Sequence, residues 1–600
     1  MKPRLLYLLR LILVLLVSFL LQKLLFLLLT PGDGRVGLGD ALAVLYHGLS
    51  LGYLLIVPLI LLVLSFLVKH FPARRILAPY HLLVALLLGI VTIVDLRLYP
   101  FWGFKLDASV FLYLDSPGEA FASVSLGFIL ANVFLIALWS IGLFFALGWR
   151  LEKTFPPVKR GWIPALGTLV LLAPTFLLIR GGVSQATANV GQVYFSDRQY
   201  LNHAAVNPVF SLFSSLGKTE DFGAEYNFYS DAELAQITAD LFPPEAPSLD
   251  TLLTTRRPNI LVIIMESFGA RYIGALGGMA EVSPHFDRLS KEGILFSSCY
   301  ANSFRTDRGV LSTLSGYPSF PTHSVMKLPA KIRSLSALSA QLRKQGYTTD
   351  FLYGGDANFT NMKGYLLGSG YQRVTDEKDL DKRLPRTNWG VPDGVTFDYL
   401  YGEILRQPTD RPWHKGFLTL SSHEPFDVPY KRLASPIPNA FAYLDESLGK
   451  FVERLKKTPQ WKDLLIICLA DHGFSARDSD DRNGTAVHHI PLLWLGGAVR
   501  SPRVLPTLMN QSDLVATLLA QLGLPYRDFP FSRNVLAPNY TKPFAYYTFN
   551  DGFGFIDPTG STVVDNVSGR VLEDVPTPSP LRQRLGRALL QMTHDDLARR

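Results

Sequence analysis

The chain has 600 residues, 48% hydrophobic and only 18% charged, which is too long for one hydrophobic core and too apolar for an ordinary soluble protein. Its net charge of +8 does not mark a nucleic-acid binder: residues 1–160 hold fourteen Lys/Arg against seven Asp/Glu, leaving the remainder near neutrality, with no basic stripe interleaved with aromatics. Two cysteines, Cys299 and Cys468, without a CxxC, supply neither a disulfide framework nor a thiolate metal site.

Five apolar segments, at 4–30, 41–68, 76–96, 124–149 and 162–180, are predicted as transmembrane helices, since each has the length and apolarity to cross a hydrocarbon core of ~30 Å. The first is too long for a cleaved signal peptide and four more follow it. Lys2, Arg4 and Arg10 at the N-terminus, Lys69, Arg74 and Arg75 in the second loop, and Arg150, Lys153, Lys159 and Arg160 in the fourth place those segments in the cytoplasm. An odd number of spans then puts everything after residue 180 outside the plasma (inner) membrane. Lys23 and Asp95 fall near the outer ends of spans, where pairing or snorkelling is expected of them.

Residues 181–256 read as a connector with short amphipathic pieces, closed by the Pro-rich FPPEAPSLD. From Arg257 the pattern alternates. The strand-like NILVIIM precedes the helix-like SPHFDRLSKEG and the strand ILFSSCY. The helix SLSALSAQLRKQG then leads to TTDFLYG, and FAYLDESLGKFVERLKK to LLIICLA. Strands alternating with helices predict an α/β domain over 257–545 with a central, mostly parallel sheet. Residues 546–600 are expected to add antiparallel strands around DPTGS and a helical tail.

In an open parallel sheet, ligands bind beyond the carboxyl ends of strands. Glu266 closes NILVIIM, while Asp471 and His472 close LLIICLA. Two carboxylates and an imidazole, with no thiolate, suit a divalent cation such as zinc, manganese or magnesium. Thr306, in NSFRTDRGVLSTLSG, opens a predicted helix. It reads either as an N-cap or as a nucleophile activated by the helix terminus and a cation.

The order PNILVIIMES, a threonine in a polar turn, SSHEPF and LADHG, after five apolar segments, resembles the lipoteichoic acid synthase family of the alkaline phosphatase and sulfatase superfamily. That resemblance implies an alkaline-phosphatase/sulfatase-like fold and one Mn2+ or Zn2+ (Mg2+ is a further option) held by Glu266, Thr306, Asp471 and His472, with Thr306 attacking a phosphodiester. It also implies substrate contacts from His423, from Asp356, and from His489 or its neighbour His488. The family's Trp and Arg positions fall here on Thr360 and Met362, which departs from its glycerol-phosphate pocket. The sulfatase signature around a formylglycine precursor and the larger ligand set of alkaline phosphatases are both absent from the sequence. The expected function is transfer of a phospholipid head group, phosphoglycerol foremost, from a membrane donor to an extracytoplasmic glycan, polymer or lipid acceptor. A phosphoethanolamine transferase, a lipid phosphodiesterase, and a catalytically silent lipid-binding scaffold are the alternatives. No nucleic-acid partner is expected.

Overall fold

The computed structural model describes residues 2–600 except 31, 33, 49–51, 103, 109, 112–125, 150–154, 157–160, 184–186, 217–221, 409, 475–482 and 551. The chain divides into two compact units, Met1–Glu220 and Asp221–Arg600.

In the first unit, four helices are long and apolar enough to cross a membrane: Pro3–Leu29, Ala73–Pro100, Leu126–Gly148 and Trp162–Arg180. The expected span at 41–68 differs. It is divided between a helix Leu38–Tyr46, whose backbone turns extended at His47, and the shorter apolar helix Tyr53–Leu67. At 1.5 Å per residue that second helix rises about 22 Å, short of a core of about 30 Å. Hydropathy averages over the polar His47–Gly48 pair, so the sequence reads as one span where the backbone makes two pieces. The basic residues Arg150, Lys153, Lys159 and Arg160 lie outside the described residues.

Several buried polar groups within this unit are paired. The Arg4 guanidinium donates to Ser65 at 2.9 Å, and Tyr7 meets His81 at 2.8 Å. Asp95 is fully buried and accepts from Lys105, from the Leu106 amide at 2.9 Å and from Gln22 at 3.3 Å. Lys23 donates to the Val44 carbonyl at 2.9 Å. Burial of either charge without such partners would cost several kcal/mol.

The second unit is built on a nine-stranded sheet. Its strands are β1 (Asn259–Met265), β2 (Ile294–Tyr300), β3 (Thr348–Tyr353), β4 (Arg373–Thr375), β5 (Trp413–Leu418), β6 (Leu464–Ala470), β7 (His489–Leu495), β8 (Arg503–Leu505) and β9 (Met509–Asn510). They lie in the order β4-β3-β5-β1-β6-β7-β2-β8, with β9 also paired to β2. All pairings are parallel except the two made by β7, so the sheet is mixed, with one reversed strand in an otherwise parallel array. β1 and β6 are buried along nearly their whole length, as strands covered on both faces must be. Register sets Met265 opposite Ala470 and Ile264 opposite Leu418. The carboxyl ends of β5, β1 and β6 therefore finish side by side, where a parallel sheet presents its ligand site.

A second, antiparallel sheet follows, formed by β10 (Ala545–Phe549), β11 (Gly552–Asp557), β12 (Gly560–Asp565) and β13 (Val571–Val575). The C-terminal helix Pro580–Arg599 packs on β11 and β12. Buried Leu589 and Leu590 share a core with Phe553 and Phe555.

Candidate metal centre and active site

One residue beyond the paired ends of β1 and β6 stand Glu266 and Asp471. A single ligand atom from each of Glu266, Asp471 and His472 lies within 4.8 Å of the other two. The imidazole Nε2 of His472 is 3.6 Å from Glu266 Oε1 and 3.4 Å from Asp471 Oδ2. The Thr306 hydroxyl donates to Glu266 Oε2 at 3.1 Å. The four residues singled out for the metal are thus brought together.

Backbone contacts hold the group. The Ser267 amide donates to Asp471 Oδ1 at 2.8 Å, and the His472 amide donates to the same oxygen at 2.8 Å. Ser267 sits in the left-handed region (φ 57°), a strained conformation for a non-glycine residue, and its hydroxyl donates to Glu266 Oε1 at 2.7 Å. Thr419 receives the Glu266 amide at 2.9 Å, and Ser422 donates to the Glu266 carbonyl at 2.5 Å.

A cation fits this donor set on two grounds. Asp471 Oδ2 is buried with no hydrogen-bond partner among the described residues, an expensive state for a carboxylate oxygen. Burial together with Glu266 pushes the Asp471 carboxyl up to about 7. In addition, His472 Nδ1 lies 2.8 Å from the Gly473 carbonyl, so Nδ1 carries the proton and donates. The lone pair of Nε2 then faces two carboxylates. Burial opposes charging of His472, but Asp471 and Glu266 outweigh it and its pKa is raised. A bound cation resolves the same conflict, and an imidazole fixed by a backbone carbonyl is the usual form of a histidine ligand.

Thr306 is the first residue of the helix Thr306–Ser315, whose N-cap is Arg305. Its hydroxyl points to Glu266 rather than back to its own backbone, so the N-cap alternative does not describe it. The helix is seated by Gly309: a Cβ there would stand 2.1 Å from the Asp471 carbonyl oxygen. Only glycine allows this helix to press against the end of β6.

The substrate-side residues divide. His423 follows Ser422 and is partly exposed, with its ring 3.9 Å from that of Trp389. Its loop is held by buried Asp393, which accepts from the amides of Leu420 at 2.9 Å and Ser421 at 3.1 Å. Asp356, beyond the end of β3, accepts from the Asn358 amide at 3.1 Å and from Lys378 at 2.8 Å; its Oδ2 is buried without a partner. Met362 is 1% exposed and belongs to the core.

His489 and His488 point to different places. His489 Nε2 is 2.9 Å from the Ser297 carbonyl, and its ring stacks on Tyr300 of β2. His488 Nδ1 lies 3.1 Å from the Gly484 carbonyl, while its buried Nε2 has no hydrogen-bond partner among the described residues. Burial, with a smaller contribution from the charge of His472, drops the His488 pKa to about 4. Asp393 carries no sequence signature, and Ser267, Ser422 and Gly309 stand inside the quoted motifs without marking a role of their own, because their contacts exist only in the fold.

Residues 258–524 match the Sulfatase family. A protein in the alkaline phosphatase superfamily from Vibrio parahaemolyticus aligns with 25% identity and a TM-score of 0.54, covering 63% of this chain and 99% of that one. The second unit therefore carries a stretch that matches the Sulfatase family and is similar in fold to a protein of the alkaline phosphatase superfamily.

Within that class, the chain is 25% identical over 399 residues to lipoteichoic acid synthase of Staphylococcus saprophyticus, covering 58% of each chain. It is 23% identical over 303 residues to phosphoglycerol transferase I of Xanthomonas campestris, covering 47% of this chain and 43% of that one. It thus spans about half the length of these curated relatives. The lipoteichoic acid synthase LtaP of Listeria monocytogenes shares the fold, with a TM-score of 0.50 at 16% identity over 62% of this chain and 98% of that one.

Proposed function

We propose that the chain is a membrane-anchored phosphotransferase that takes the head group of a phospholipid, phosphoglycerol foremost, onto Thr306 and passes it to an acceptor hydroxyl outside the cell. The observation that carries this reading is the Thr306 hydroxyl at 3.1 Å from Glu266, within a cluster of Glu266, Asp471 and His472. Silent scaffolds have no use for a nucleophile and three converging donor atoms. The names of the relatives, lipoteichoic acid synthase and phosphoglycerol transferase, supply the head-group class.

Thr306 Oγ forms a bond to phosphorus as the bond from phosphorus to the diacylglycerol oxygen breaks. The Thr306 proton passes through Glu266 to the diacylglycerol oxygen, so that diacylglycerol leaves as the alcohol. In the second half, an acceptor hydroxyl attacks the same phosphorus and Thr306 Oγ departs, restoring the side chain. The proton of the incoming hydroxyl returns through Glu266 to Thr306 Oγ as it departs. The N-terminus of the helix Thr306–Ser315 favours negative charge on Thr306 Oγ. Glu266, Thr306, Asp471 and His472 would hold one Mn2+ or Zn2+, which when bound lowers the threonine pKa and neutralises phosphate oxygens. Asp356 and His423 line the head-group side.

Apolar helices in the first unit hold the site at the leaflet that supplies the donor, raising its effective concentration. We take Leu38–Tyr46 and Tyr53–Leu67 together as one crossing, so that an N-terminus held inside by its Lys/Arg bias leaves the second unit on the extracytoplasmic side.

The test is incubation of the detergent-solubilised chain with phosphatidylglycerol and Mn2+, with mass spectrometry of released diacylglycerol. Release is expected from the wild type. Thr306→Ala should lose on the order of 10³-fold or more, as nucleophile removal does elsewhere. Equal release by both proteins would defeat the proposal. A water-only acceptor would appear as free head-group phosphate and would make the chain a phosphodiesterase.

A further inference from the structure

Away from the active centre, three segments of the second unit meet at one carboxylate. Glu225 ends the short helix Phe222–Glu225. His323 lies in the loop after the Thr306 helix, and His594 lies in the C-terminal helix. Glu225 Oε2 is 3.1 Å from His323 Nε2 and 3.6 Å from His594 Nε2. Thr322 donates to the other carboxylate oxygen at 3.3 Å.

His594 is fully buried. Its Nδ1 is 2.7 Å from the Leu590 carbonyl, which can only accept, so Nδ1 carries the proton. Nε2 is then a lone pair, buried without a hydrogen-bond partner among the described residues and aimed at a carboxylate oxygen. Two acceptors face each other, the same conflict as between His472 and Glu266. Protonating His594 would relieve it, but burial opposes that charge and holds its pKa near 4.

We propose that Glu225, His323 and His594 form a second divalent-cation site, selective for zinc, that clasps the segment entering the second unit to its C-terminal helix. Zinc at ordinary bond lengths with tetrahedral angles requires ligand-to-ligand edges of about 3.3 Å. The two edges to Glu225, 3.1 and 3.6 Å, bracket that value. The imidazoles stand further apart than in the active centre, where all ligand atoms fall within 4.8 Å. Binding therefore draws in the partly exposed ring of His323. The surrounding shell is already that of a structural metal: Leu590 fixes the His594 tautomer, and Thr322 orients the carboxylate. Tyr226 and Phe320 flank His594 edge-on at 4.6 and 4.9 Å, and Phe222 flanks His323 at 5.1 Å.

The experiment counts zinc in the full-length, detergent-solubilised chain, stripped with chelator and dialysed against zinc chloride. Glu266→Ala/His472→Ala removes the active centre. That double variant is expected to retain one zinc per chain and to melt at higher temperature with zinc than without it. Adding His323→Ala, a change at a partly exposed ring, should abolish both the retained zinc and the thermal shift. Glu225→Gln, nearly isosteric, should do the same. A double variant that binds no zinc overturns the proposal, as does a zinc count unchanged by His323→Ala. In the otherwise wild-type chain, His323→Ala should lower the count by one while diacylglycerol release persists, so this site can fail without touching the proposed transferase reading.

Discussion

Two neighbouring histidines show how much a single backbone step decides. At the start of β7 alternate side chains face opposite sides, so His489 is spent on the Ser297 carbonyl while His488 keeps an unpartnered nitrogen near His472. His488→Gln is expected to lower kcat by up to about 10²-fold by misplacing the residues of the centre. His489→Gln should act mainly on stability, measurable as a lower melting temperature with kcat little changed. Asp471 offers a second prediction at this scale. Its folded pKa, pushed up to about 7, lies above the ~3.9 of an unfolded aspartate. Between those values the folded state binds more protons than the unfolded one, so this residue makes metal-free stability fall as pH rises from about 4 to 7. Urea unfolding of the metal-free chain at pH 5 and pH 8 should show a drop that is smaller in Asp471→Asn. Saturating Mn2+ should remove most of the difference.

At the scale of elements, the active centre depends on how closely a helix approaches a strand end. The helix Thr306–Ser315 reaches the β6 terminus because Gly309 offers no Cβ to the Asp471 carbonyl. Gly309→Ala should cost about 1–3 kcal/mol through crowding. By displacing Thr306 it should lower diacylglycerol release by roughly 10²-fold, with metal still bound. Asp393→Asn, which weakens the grip on the Leu420 and Ser421 amides, should raise KM more than it lowers kcat.

These elements also mark how far the sequence could be read. NILVIIM and LLIICLA are legible as buried parallel strands because β-branched apolar runs end abruptly at Glu266 and Asp471. The ligands at their ends follow from that, and Thr306 from the helix that begins with it. The reversed direction of β7 is not legible, since HIPLLWL has the same buried pattern in either direction. The break at His47 is hidden for a similar reason: hydropathy measures apolarity and not backbone continuity. The Glu225, His323 and His594 cluster escapes because its members lie in three distant segments.

Across the whole molecule, the composition separates the work of the two units. The first carries the apolar helices and most of the excess positive charge; the second carries the stretch that matches the Sulfatase family. If the Lys/Arg bias sets orientation as argued, protease added to intact spheroplasts should digest the second unit and spare the helices of the first. Protection of the second unit would reverse the topology. The central claim, that Thr306 becomes covalently bonded to a lipid head group, has one direct measurement. The chain is incubated with Mn2+ and phosphatidylglycerol, quenched in acid, and its peptides are examined by mass spectrometry. The account predicts a glycerol-phosphate adduct on the peptide containing Thr306, absent in Thr306→Ala. Diacylglycerol release without any adduct on that peptide, under conditions that trap the first half-reaction, would contradict it.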